Sequence, residues 1–161
     1  MDVRASLEAP CDADLLFGLV DDLATYPKWI DLVHRVEVTE PFEVTEPFEV
    51  TEPFGMIEPA WNVELRARVG PLARSKRLRM VRTEHDPVAR RVEFSRSEAD
   101  QRRHSPWVLA ADVTATSDGS ALQMHLHYGG GLWTGGLLER ALAEQITNGR
   151  VRLAMLATAT R

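Results

Sequence analysis

From Trp61 to Tyr128 the chain alternates apolar and polar residues almost without a break, and a period of two commits this stretch to β-strands. In 61–69, Trp61, Val63, Leu65, Ala67 and Val69 face one way, while Asn62, Glu64, Arg66 and Arg68 face the other. Residues 74–84 set Leu78 and Met80 against Arg77 and Arg79, and Arg91–Ser95 turns Val92 and Phe94 inward. In 104–116, Trp107, Leu109, Ala111 and Val113 fall together, and Leu122, Met124, Leu126 and Tyr128 then oppose Gln123, His125 and His127. Gly70-Pro71, Asp86-Pro87 and Ser117-Asp118-Gly119-Ser120 supply the turns. Strands of this kind make an antiparallel sheet with one apolar face, and that face must be covered.

The cover is at the C-terminus. Past Gly129-Gly130-Gly131 the period changes to 3.6, with Leu138, Leu142, Ile146, Gly149, Leu153 and Leu156 in one stripe. Thr134 can cap this helix, and Asn148-Gly149 is its weak point, a kink or an end. At the other terminus, Val3–Glu8 alternates as a first strand that Pro10 closes. Asp12 and Asp14 suit the first turn of a helix with Leu15, Leu16, Leu19 and Val20 on its apolar face. Asp21 or Asp22 can cap a second short helix that Pro27 stops, and a strand begins near Val33. The order is strand, two short helices, about six strands, then one long helix.

Asp22-Leu23-Ala24-Thr25-Tyr26-Pro27-Lys28-Trp29, following the helix in EAPCDADLLFGLV, resembles the START-like or SRPBCC superfamily, and within it the bacterial polyketide cyclase/dehydrase and lipid-transport family. The resemblance covers the whole chain except residues 37–54. It implies an α+β helix-grip fold: a curved antiparallel sheet of about seven strands wrapped around the long C-terminal helix. It also implies an apolar cavity between sheet and helix for a polyketide-, lipid- or quinone-like ligand. The family shares no catalytic motif, so a pocket is implied and a reaction is not.

The inward faces would line that cavity with Trp61, Val63, Leu65, Leu78, Met80, Phe94, Trp107, Leu109, Met124 and Leu126, and the helix would add Leu138, Leu142 and Ile146. Close packing of a simple core is the competing reading of the same residues. Polar groups on these faces are the candidates for chemistry. Arg82 continues the Leu78/Met80 face, Arg103 and Ser105 continue the Trp107/Leu109 face, and Tyr128 ends the last strand. Cyclisation of an aldol type needs a cation or donor for an enolate, a role open to Arg82, and a proton acceptor, a role open to His104 or Tyr128. Equally, Arg82 can sit at a strand end in solvent. The reading is thus an apolar-ligand binder that catalyses cyclisation or dehydration, a non-enzymatic lipid or quinone carrier, or a protein-interaction module.

His125 and His127 share one side of a strand, but a zinc site needs a third ligand, so solvated histidines and no metal are expected. With no G-x-G-x-x-G, P-loop or G-x-S-x-G pattern, no cofactor is expected either.

Charge is unevenly spread: the net −5 contains a −6 block at 37–54 and a +7 block at 66–103. The acidic block is EVTEPF repeated in three identical hexads, which reads as recent tandem duplication; without two copies the chain has 149 residues. The expectation is therefore one START-like domain over 1–161 with an inserted repeat. An extended repeat would put Val38, Phe42, Val44, Phe48, Val50 and Phe54 on one face together with Glu40, Glu46 and Glu52. It is a surface loop or elongated edge strand, a cover for an apolar opening, or an acidic arm against the basic block. That basic block is a solvated strand face, or a docking surface for an acyl carrier protein or an anionic membrane. Nucleic acid is not expected. Cys11 alone allows no internal disulfide, the N-terminus lacks signal-peptide features, and no apolar run is long enough to span a bilayer, so a cytoplasmic protein is expected.

Overall fold

The alternation becomes seven strands in the computed structural model, which describes residues 2–39, 58–69, 72–100, 102–130 and 137–159. They are β1 (Asp2–Ala9), β2 (Val33–Thr39), β3 (Ala60–Val69), β4 (Leu72–Asp86), β5 (Arg91–Arg96), β6 (Trp107–Thr116) and β7 (Gly119–Tyr128). Every neighbouring pair is antiparallel, in the order β1-β7-β6-β5-β4-β3-β2. The register joins the inward residues into one apolar face: Val63 opposite Leu78, Phe94 opposite Leu109, Leu109 opposite Leu126, and Leu126 opposite Val3. The sheet is open and curved, and its concave face is covered by helices, which is the helix-grip α+β arrangement.

Three elements provide the cover. Helix α1 (Ala13–Val20) starts at Asp12, whose carboxylate accepts from the Asp14 N–H at 2.8 Å, and it buries Leu16, Phe17 and Val20. A 3-10 helix follows at Leu23–Lys28. Helix α2 (Leu137–Ala159) buries Leu153 and Ala157 in the same core and packs on β1 and α1.

Three local expectations are corrected. Pro27 lies inside the 3-10 helix instead of stopping it, because its fixed φ suits a tight turn that Tyr26 closes by accepting from Trp29 and Ile30 N–H at 3.1 and 2.8 Å. Strand β6 starts at Trp107, not 104, since Pro106 has no N–H for the ladder; Arg103 and Ser105 are therefore off its inward face. Gly149 does not end α2, which continues to Ala159. A Cβ there would lie 2.7 Å from the Trp29 carbonyl oxygen, so the glycine lets the helix approach that segment. Gly119 is constrained in the same way: at φ 151° it packs the β6–β7 turn onto β1, where a Cβ would lie 2.2 Å from the Ala9 carbonyl oxygen.

Glu37, Val38 and Thr39 of the first hexad end β2, opposite Asn62, Trp61 and Ala60. The rest of the repeat, the Gly70-Pro71 turn, the Thr134 cap and the side chains of Arg68, Leu138, Leu142 and Ile146 lie outside the described residues. No described helix is long and apolar enough to cross a membrane.

Candidate ligand cavity

The signature between Asp22 and Trp29 works as a clip. Asp22 caps the 3-10 helix through the Ala24 N–H at 2.9 Å, and the same oxygen accepts from Trp61 Nε1 at 3.1 Å, tying the turn to β3. The Tyr26 hydroxyl donates to the Val20 carbonyl at 3.0 Å, and its ring tilts against Trp29 with centroids 4.6 Å apart. Burial, reinforced by Asp21 and Asp22, raises the Tyr26 pKa well above the ordinary tyrosine value, so the phenol stays neutral. The proline holds this turn under the concave face of the sheet.

Between the clip and the sheet lies a cavity of about 90 Å³. Its sheet wall is Val63 and Leu65 of β3, Leu78 and Met80 of β4, Trp107 and Leu109 of β6, and Met124 and Leu126 of β7, with Val3 and Ala5 at the β1 edge. The facing wall is Leu23 and Tyr26 of the 3-10 helix, then Ile30, Leu32, Val33 and Val36. Ligand pockets usually span about 300–1,000 Å³, so a ligand would have to part these walls. Met80 and Met124, unbranched and set among leucines, give a wall that can repack around a guest.

Trp61 and Phe94, expected at the wall, are instead buried beneath the clip, edge to face with each other at 5.4 Å and 80°. The reason is position along the strands: Trp61 sits where Asp22 reaches it, and Phe94 sits where the Tyr26 ring edge meets it at 6.5 Å.

The polar candidates are dispersed. Arg82 lies opposite Phe94 in the ladder, outside the cavity wall, with Nε buried and no hydrogen-bond partner among the described residues. His104 is held outside the cavity by Arg96, which donates to Nδ1 at 3.1 Å, and by Asp100, which accepts from Nε2 at 2.7 Å. That contact, with a further Arg102 N–H, lowers the Asp100 pKa. Tyr128 is buried and tilts against Trp107 at 4.9 Å. The structure does not gather these three residues into one site.

Two cations escape a reading of the sequence by polarity. Arg96 extends the Val92/Phe94 face by one more step, opposite Met80, and only 9% of its side chain is exposed. Its Nε donates to Glu98 Oε1 at 2.6 Å, so the charge is neutralised inside the protein. Lys76 extends the Leu78/Met80 face in the other direction, opposite Leu65, and its Nζ sits 5.1 Å from the Tyr128 ring centroid and 5.7 Å from that of Trp107. Period two predicts both placements; the charges conceal them.

The outer face is ionic. Arg66 and Arg77 pair with Glu64, and Arg77 is 86% exposed, while Arg79 donates to the Ser97 carbonyl at 3.1 Å. His125 Nε2 and His127 Nδ1 both lie 3.0 Å from one oxygen of Asp2, which lowers the Asp2 pKa, His127 contributing most.

No family model and no curated protein matches the sequence. Solved structures do match in fold. The START superfamily protein from Mycobacterium smegmatis superposes with a TM-score of 0.68 at 12% identity, over 99% of both chains. This is the START-like helix-grip fold. TTHA0849 from Thermus thermophilus shares the helix-grip fold with a TM-score of 0.64 at 17% identity over 99% of both chains. The di-domain ARO/CYC StfQ from the steffimycin biosynthetic pathway matches at 0.63 and 16% identity, over 99% of this chain and 51% of that one.

Proposed function

We propose that this protein binds an apolar small molecule in the cavity between the sheet and the Asp22–Trp29 clip. The observation that carries the reading is the cavity itself: its wall is aliphatic and aromatic, and the Tyr26 hydroxyl on it is already spent on the Val20 carbonyl. Such a site selects by shape and hydrophobicity. Binding and release without chemistry, as in a carrier, is favoured over catalysis, because Tyr26 is held neutral and Arg82 and His104 lie off the wall.

Cyclisation or dehydration of a polyketide-like substrate is the second reading. The fold shared with the ARO/CYC StfQ supports it. In that reading Tyr128 and Arg82 would reach a substrate once the walls part, and the exposed arginines of the outer face would receive an acyl carrier protein. Arg82→Ala and Tyr128→Phe separate the readings: turnover of a polyketide-like substrate that falls in both variants supports catalysis, and unchanged turnover removes those roles. The binding reading is tested by native mass spectrometry of protein purified from its own host, with displacement of the neutral fluorophore Nile red by added lipids. Bound apolar mass and displacement are expected. Protein that carries no apolar ligand and takes up no fluorophore would end both readings.

A further inference from the structure

We propose that Lys76 anchors the ligand's head, and that the ligand is an apolar molecule bearing a single carboxylate. This rests on the binding reading above and narrows it. Lys76 belongs to the inward register of β4, paired with Leu65 and two residues from Leu78, both of which line the cavity. Its ammonium group therefore lies at the end of the apolar wall, over the faces of Trp107 and Tyr128. Among the described residues no carboxylate pairs with it, whereas the other inward cation of this region, Arg96, is occupied by Glu98.

A half-buried ammonium with aromatic faces on one side has donors left for an anion on the other. Among the described residues, Lys76 is the one cation at this end of the wall that no carboxylate pairs with, and that charge sets the class of anion. One cation balances one carboxylate; a phosphate monoester carries nearly two negative charges and would call for a second unpaired cation. The apolar body would then lie along Leu65, Leu78 and Met80, with Trp107 at the head end.

The test uses the full chain and two probes that differ only at the head, decanoate and decan-1-ol, each displacing Nile red at neutral pH. Wild type is expected to bind decanoate about tenfold more tightly than decanol, the scale of one charge-assisted hydrogen bond. Lys76→Met should erase that preference while keeping decanol affinity, and Lys76→Arg should keep it. Lys76→Gln gives the same reading should the methionine variant lose its cooperative unfolding transition. Equal affinity for acid and alcohol in wild type, or a decanoate preference that survives in Lys76→Met or Lys76→Gln, would overturn the proposal and leave the binding function standing. Failure of both probes to displace the dye would instead remove the binding reading, and this proposal with it.

Discussion

Filling the cavity should stabilise the protein and abolish binding together. Ala5 is the smallest side chain on the wall, on β1 opposite Met124, and Ala5→Leu projects three more carbons into the space. A void of about 90 Å³ costs roughly 2 kcal/mol at about 24 cal/mol per Å³. Burying three carbons recovers about that 2 kcal/mol, and misfit of a leucine on a set backbone takes back about 1 kcal/mol. The expected net gain is about 1 kcal/mol, or roughly 2–4 °C in Tm for a chain of this length. Urea unfolding would measure the gain, and Nile red titration would measure the loss of binding. Destabilisation by more than about 1 kcal/mol would mean the space cannot take a side chain. A stable Ala5→Leu protein that binds the dye at wild-type affinity would place the ligand elsewhere and refute the reasoning outright.

Two further outcomes follow from the clip and the helix that packs on it. Gly149→Ala adds helix propensity worth about 1 kcal/mol, yet its Cβ would meet the Trp29 carbonyl at 2.7 Å, so net destabilisation in chemical unfolding is expected; a more stable variant would show that α2 does not need that approach. For Tyr26, the folded pKa is raised, so its contribution is complete below the unfolded value near 10 and is lost as pH climbs toward the folded one. Stability should therefore fall above about pH 10 with a slope reaching about 1.4 kcal/mol per pH unit from this group, and Tyr26→Phe should remove that component; an identical alkaline slope in the variant would contradict it.

Much of the fold is legible in the sequence because alternation and burial coincide. Period alone assigns Val63, Leu78, Leu109 and Leu126 to one face, and the ladder joins them. The second wall of the cavity is not legible. Ile30, Leu32, Val33 and Val36 come from a turn and the start of a short strand, where too few residues repeat for any period to show. Alternation gives Trp61 and Phe94 the right face but the wrong depth, because it reports which side a residue faces and not how far along the strand the covering clip sits. Arg96 and Lys76 are easily passed over because charge suggests solvent, although a long aliphatic stem lets a lysine or arginine follow an apolar face inward. His104 illustrates the opposite error: a titratable residue near an inward strand, whose side chain is already engaged by Arg96 and Asp100.

The position of β2 has a genetic consequence. It is an edge strand, and among the described residues its ladder with β3 runs to Thr39 opposite Ala60, within the first of the three hexads. A copy gained or lost by replication slippage should shift no register among the seven described strands. Because each hexad begins with the same Glu-Val-Thr, any copy offers the same three residues to Asn62, Trp61 and Ala60. The even period keeps their facing unchanged. Copy number is thus expected to be nearly silent to the seven described strands, while each hexad alters the net charge by two units.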